Sequence, residues 1–447
     1  MSASEKLQLV LNKIDIPNKE CIRGNITLIS EVDGVNIKWK SSAPHVITDE
    51  FIGKKAAGVV VRQEEDTTVK LTATVSADNE SVTKEFDVTV LKAPRKLTED
   101  DFGGYLFAHF IGEQEGNQEQ IYFSLSENGL NFKDMNDCKP VLISNVGERG
   151  VRDPYMYRSY EGDRFFLIAT DLSIFNRGGW FQNEQGYYDA STTGSSNLVL
   201  WESTDLIHWS DAKLLPVAPE NAGMAWAPEM IYYEETGEYV IYFSSSIMNP
   251  ETKMKAKPNT IFYVTTRDFV NFSETKIFID NQKDPDGKAR EIIDTTLIKI
   301  GDTYYSASKD GDNAEKNGGI RILKTKNLLD PDSWEKVLNL TDLGLDINGT
   351  GVRALDNGDL EGPELFLYNK KDWALEDVPE YGIMADRFQA DLGYLPLKTT
   401  DIEDTKNEKN SWKILSSDEY SFDKLKKRHG TIISITYDEI KNIKENY

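Results

Sequence analysis

The stretch RHGTIISIT, residues 428–436, decides the fold. It reads as one short β-rich strand, left over at the end of the chain. A strand is missing at the other end. From Tyr105 onward one phrase recurs: a strand, a small polar segment carrying Asp or Asn, then an aromatic. It occurs as IYFSLSENGLNF, LVLWESTDLIHW, IFYVTTRDFVNF, IRILKTKNLLDPDSW and YLPLKTTDIEDTKNEKNSW, closing on Phe132, Trp209, Phe272, Trp334 and Trp412. A second apolar strand precedes each: YLFAHF, FFLIAT, YVIYFS, YYSASK and YGIMAD. Four of these follow a first strand and a tight turn, as DPYMYRSYEGD, PEMIYYEETGE, DTTLIKIGD and GPELFLYNKKD. Only the copy at Tyr105 lacks its first strand, and residues 428–436 supply it. Exchanged ends of this kind remove the exposed edges of a ring of sheets. The expectation is all-β: a five-bladed β-propeller over residues 104–447, closed by the C-terminal strand.

Upstream, residues 1–93 read as a small Ig-like β-sandwich, followed by a linker over 94–103. Val69, Leu71, Ala73 and Val75 alternate with polar residues, and after a turn at DNES the alternation resumes through Phe86, Val88 and Val90. Roughly seven short strands fit before Lys92. Two domains also suit the length, because 447 residues exceed the ~250–300 that one core usually serves. The text resembles bacterial Ig-like domains appended to carbohydrate-active enzymes, which implies a spacer or packing module.

Charge excludes some partners. Lys+Arg number 51 and Asp+Glu 75, so 51 − 75 = −24, a surface that repels nucleic acid and anionic lipid. Cys21 and Cys138 lie far apart, and His45, His109, His208 and His429 show no metal-ligand spacing, so neither a disulfide framework nor a metal site is expected. No cofactor is called for. The first residues show no basic region leading into an apolar one. The expectation is a cytoplasmic protein, or a secreted one whose leader has been removed.

Aligning the five first strands gives RDPYM, WAPEM, IDTTL, EGPEL and RHGTI. Innermost strands of a propeller line its axis, so residues at this register converge on one face. They are Asp153, Trp226, Asp294, Glu361, Arg428 and His429. Carboxylates brought together at a cost in desolvation suit acid–base chemistry on a glycosidic bond. One must be protonated to help the leaving oxygen, and one ionised to deprotonate water. A metal-dependent hydrolase is the second reading. Arg387, at the end of YGIMADRF, and His109, ending the corresponding strand of the closing blade, are expected on the same face. The insertion from Asp171 to Asn197 carries Trp180 and Phe181, aromatic candidates for a wall against a sugar. Trp226 is expected as floor or side wall of the sugar subsite.

The ordered motifs RDP, WAPE, IDTTL and EGPEL resemble those of glycoside hydrolase family 43, the family of β-xylosidases, α-L-arabinofuranosidases and arabinanases. The resemblance runs from Asp101 through Ile440. It implies an inverting glycosidase with Asp153 as general base, Asp294 as pKa modulator and Glu361 as general acid, base and acid standing roughly 6.5–9.5 Å apart. Glu229 stands where the family commonly has Asp and is taken as substrate-binding, with Trp226, Arg387, His429 and Trp180. Thr295 replaces a usual Pro. Glu364, a second acid after EGP, competes with Glu361 for the acid role. Long insertions favour exo-action on a terminal arabinofuranosyl, xylosyl or galactofuranosyl residue of a neutral plant or microbial glycan. A lectin-like propeller without catalysis and an endo-acting arabinanase are the alternatives.

Overall fold

The computed structural model describes residues 3–77, 80–179, 187–252, 254–280, 291–310, 319–345, 360–388 and 392–447. Its described residues are built mainly from six four-stranded antiparallel sheets. The first belongs to the N-terminal part, in the order Glu31–Val32, Val35–Ser41, Thr67–Ala77, Glu80–Val90. The alternation in the sequence sets its faces: Val69, Leu71, Ala73, Val75, Val88 and Val90 are fully buried. Ladders form over four strands where roughly seven were expected. The opposite layer instead holds the helix Ala3–Lys13, whose Leu7, Val10 and Leu11 join that core, and segments tied only by single bridges such as Ile47 to Val60. The helix escaped the strand-oriented reading because its apolar face spans only three turns.

The remaining sheets follow the repeat. In each, the first strand pairs the second, the second the third, and the third a short fourth. The first strands are Val151–Arg158, Trp226–Tyr233, Ile292–Ile300, Glu361–Leu367 and Arg428–Thr436. The last pairs with Phe102–Phe110, so the surplus strand does complete the sheet that lacked one. First strands pack against one another in chain order, and Arg428–Thr436 also packs against Val151–Arg158.

The recurring phrase has a hydrogen-bonding reason. Each third strand ends in Ser or Thr, whose hydroxyl accepts from the backbone two or three residues on; in all but the strand Gly319–Thr325 the Asp or Asn two residues later then caps one or two further N–H groups. Ser203 Oγ accepts from Leu206 N at 2.9 Å, and Asp205 Oδ1 from Ile207 N and His208 N at 2.9 and 2.8 Å. Thr266 and Asp268 repeat this with Phe269, Val270 and Asn271, and Ser126 with Asn128 does so for Gly129, Leu130 and Asn131. Short polar side chains thus replace the ladder where the chain turns.

Two further contacts fix the assembly. The C-terminal helix Tyr437–Asn446 opens on a capping box between Thr436 and Glu439. Its Glu439 takes both arms of Arg158 at 2.7 and 2.8 Å, locking the last strand to the Asp153 sheet. The N-terminal part docks through Asp163, whose Oδ2 receives Arg23 and Arg62 at 2.7 and 2.8 Å. Arg267, 7% exposed, reaches the other way and donates to the carbonyls of Ile26, Ala56 and Ala57.

Candidate active site

The same irregularity sits at the head of all five first strands. Pairing shifts between Arg152 and Tyr155, Trp226 and Glu229, Ile293 and Thr296, Glu361 and Glu364, and Arg428 and Thr431. In each, two residues face one on the second strand, which is a β-bulge, a device that re-aims side chains. The first bulged residues are Asp153, Ala227, Asp294, Gly362 and His429. Four of them have positive φ: 49°, 47°, 53° and 52° for Asp153, Ala227, Asp294 and Gly362. Non-glycine residues held there store about 1 kcal/mol or more each, and the price is kept where two of the three acids are aimed. At Gly362 a Cβ would also lie 2.6 Å from the His429 ring, so no larger residue fits.

His429 joins the two aspartates. Its Nδ1 lies 3.3 Å from Asp153 Oδ1 and 4.0 Å from Asp294 Oδ1. Burial would discharge the ring, but the hydrogen bond to Asp153 and the charge of Asp294 raise its pKa to about 9, leaving an imidazolium at neutral pH. Asp153 is held on its other oxygen by Thr170 Oγ1 at 2.8 Å, and that hydroxyl accepts from Ala227 N at 2.7 Å. Burial pushes the Asp153 carboxyl up, yet His429 and the Arg152 charge outweigh it and keep Asp153 below the usual carboxylate range. Asp294 behaves oppositely. Burial, reinforced by Glu361 and Asp153, raises it to about 6, while its Oδ2 accepts from Gly362 N at 3.0 Å.

Glu361 is clamped by two cations. Lys309 Nζ reaches Oε2 and Arg428 Nη2 reaches Oε1, both at 2.9 Å. Burial opposes ionisation, but these charges hold its carboxyl below the ordinary value. Arg428 is itself oriented by Asp386, fully buried, whose Oδ2 accepts from Nε at 2.5 Å. The Lys309 ammonium lies 4.2 Å from the Phe388 ring centre. Lys309, Asp386 and Thr170 were not anticipated. They share a register, for each pairs the residue just before or at a bulge on the neighbouring first strand.

Other expected residues fall elsewhere. Glu229 is 4% and Glu364 2% exposed, both in a layer below the bulges. Tyr242 OH donates to Glu229 at 2.6 Å, and Ile432 N donates to Glu364 at 2.9 Å. Burial raises Glu229 to about 8 and Glu364 well above its ordinary value. Glu229 is near enough for its charge to act on His429, and both carboxyls are hydrogen-bonded inside the fold. Arg387 donates to the carbonyls of Leu392, Gly393 and Tyr394 and so braces its own hairpin. His109 is buried with Nε2 at 2.9 Å from Ser124 Oγ, stacked on Tyr122 inside its sheet. Trp226 heads its strand at the position equivalent to Glu361, packed on Leu172, Ile174 and Met224 and 8% exposed. Trp180 and Phe181 lie outside the described residues. The loop leading to them is anchored by Glu119, fully buried, which accepts from Ile174 N, Phe175 N and Ser173 Oγ at 2.9, 3.0 and 2.9 Å.

Comparison with known proteins yields two family matches. Residues 100–441 match a family related to glycosyl hydrolase 43 and described as a probable glycosyl hydrolase domain. Residues 1–93 match the atrophied bacterial Ig domain. The chain is 30% identical over 429 residues to an alpha-L-arabinofuranosidase of Bifidobacterium longum subsp. longum, covering 87% of this chain and 38% of that protein. It thus spans well under half the length of this relative. Among solved structures, a thermostable family-43 glycoside hydrolase aligns at 9% identity and TM-score 0.41, over 80% of this chain and 93% of the other. An alpha-L-arabinofuranosidase from Lactobacillus brevis aligns at 14% and 0.39, over 68% and 93%. Both structural likenesses are slight.

Proposed function

As the chain belongs to the glycosyl hydrolase 43-related family, we propose that it is a glycosidase that releases a terminal α-L-arabinofuranosyl residue from a glycan with inversion. One observation carries the reading. Three carboxyls converge on one ring of β-bulges: Asp153 and Glu361 are both held below the ordinary carboxylate range, by His429 and by the cations Lys309 and Arg428, and Asp294 between them is raised to about 6. Two ionised carboxylates on either side of a bond supply a base as they stand, and an acid once one of them takes up a proton. Asp153, ionised at neutral pH and steadied by Thr170 and His429, deprotonates the water. Glu361 takes up a proton from solvent as the approaching substrate separates Lys309 from Oε2, and then gives it to the leaving oxygen. Asp294 holds the Gly362 backbone and, through His429, couples the two. The sugar name is favoured over xylosyl and galactofuranosyl by the arabinofuranosidase relative. The same reading takes the five sheets as a five-bladed propeller, supported by the order in which the first strands pack.

The test is turnover of p-nitrophenyl α-L-arabinofuranoside beside the β-xyloside and β-galactofuranoside, with proton NMR of the first anomer released. The expected product is the inverted anomer, and Glu361→Gln should lower kcat on unactivated linkages about 10²–10⁴-fold. Absence of turnover on every glycoside, with sugar binding retained, would overturn it in favour of a lectin.

A further inference from the structure

We propose that the cavity of about 560 Å3 beside Arg428 seats the departing sugar and selects one bearing an anionic substituent, a uronate carboxylate. The inference rests on the hydrolase reading and adds the chemistry of the aglycone. Its walls include Ile111, Gln114, Gln118, Lys424, Lys426 and Arg428. That volume suits a sugar ring or two.

Position gives the first argument. The general acid protonates the leaving oxygen, so the departing sugar lies on the acid's side of the scissile bond. Arg428 borders the cavity and its Nη2 holds Glu361 Oε1 at 2.9 Å, whereas Asp153 is not among the residues lining it and is held by His429 and Thr170. A ring filling the cavity is therefore the one Glu361 sets free.

Charge gives the second. Among the described residues, three cations and no carboxylate line the cavity, in a chain whose net charge is −24. Arg428 is committed to Glu361 and Asp386. Lys424 and Lys426 are exposed, while Lys427, next in the chain, turns inward to Asp134, its side chain 1% exposed. The acids Asp153 and Asp294, which the cavity's cations do not pair, would repel an anionic glycone, so the glycone is neutral and the departing sugar is the charged one.

Preorganisation gives the third. Asp134 Oδ2 accepts from Lys424 N and Leu425 N at 3.0 and 2.8 Å, and Oδ1 takes Lys427 Nζ and Ser124 Oγ at 2.6 and 2.9 Å. The backbone presenting both lysines is fixed before any ligand arrives, which reduces the ordering cost of binding. Gln114 and Gln118 add amides able to read ring hydroxyls.

The experiment measures equilibrium binding of free galacturonate, galactose 6-sulfate and galactose to the full chain, in low salt and in 0.5 M NaCl. Galacturonate should bind about tenfold tighter than galactose in low salt. That advantage should shrink in 0.5 M NaCl and vanish in a Lys424→Ala/Lys426→Ala double variant, whose melting temperature checks that it is folded. Equal affinity for the acid and the neutral sugar, or an advantage that survives the double substitution, would overturn the proposal. Preference for the sulfate ester would overturn the uronate assignment. Turnover is not needed for this readout. Galacturonate binding in a chain that hydrolyses no glycoside would sink the hydrolase reading and leave the anionic subsite standing.

Discussion

At the scale of single residues, the double clamp on Glu361 makes a kinetic demand. A carboxyl between Lys309 and Arg428 is ionised in the empty site, and an acid catalyst must be protonated. The alkaline limb of kcat/KM reports the acid in the free enzyme, so it should fall on the low side of neutral. Lys309→Met removes one charge, lets the Glu361 carboxyl rise, and should move that limb upward by about 1 pH unit. An unmoved limb would show that Lys309 does not set the proton. Glu364→Gln should leave the limb in place, because its carboxyl lies in the layer below. The sequence carried this information in part. Aligned first strands placed Asp153, Asp294, Glu361 and His429 together. The second strands FFLIAT, YYSASK and YGIMAD end on Thr170, Lys309 and Asp386, and aligning them as well points to all three. What alignment does not convey is direction: Arg387 follows Asp386 by one residue and turns to its own hairpin.

At the scale of the element, the five bulges do two jobs. They aim the first bulged residue at the site, and they set the second residue on from it into the layer beneath. In that layer first strands expose unpaired N–H groups toward their neighbours, and side chains satisfy them: Thr296 Oγ1 accepts from Leu365 N at 3.4 Å and Glu364 from Ile432 N at 2.9 Å. Glu229 occupies the equivalent place, which accounts for a glutamate where a shorter acid was expected. The cost is electrostatic. Its pKa is about 8 in the fold against 4.5 as an ordinary glutamate, so the folded chain binds the extra proton between those values. Stability therefore falls as pH rises from about 4.5 to about 8. Glu229→Gln should flatten that slope in urea unfolding measured at several pH values, and stabilise the chain by about 2 kcal/mol at pH 8. A slope unchanged by the substitution would remove Glu229 as its source. Gly362→Ala makes the complementary point, for the new methyl group would push His429 off Asp153; kcat should fall well over tenfold while urea unfolding shifts by about 1–3 kcal/mol.

At the scale of the whole molecule, the repeat was legible from the sequence because each copy ends in the same polar cap and aromatic. The joint between the N-terminal part and the sheets was not, because it is made by single side chains meeting carbonyls far away in sequence. Arg267 is the clearest of them. It follows Thr266, whose hydroxyl belongs to the recurring cap, and so reads as an ordinary turn residue. In the fold its Nη1 serves Ile26, Ala56 and Ala57, with the Ala57 carbonyl at 2.8 Å, and its Nη2 serves the Thr236 carbonyl at 3.0 Å. Removing the guanidinium leaves these carbonyls without their donor in a closed seam, a loss of about 2–4 kcal/mol that falls on the joint rather than on either core. The Asp163 ion pairs with Arg23 and Arg62, the Asn25 amide on Tyr232 and Gly237, and the exposed Lys54–Glu235 pair would then be left to hold the joint. Scanning calorimetry should accordingly show one cooperative transition for the natural chain and two for Arg267→Ala, the N-terminal part melting first because it is the smaller core. A single transition retained at the same temperature in the variant would mean that the two parts melt together for another reason, with Arg267 adding nothing to their coupling.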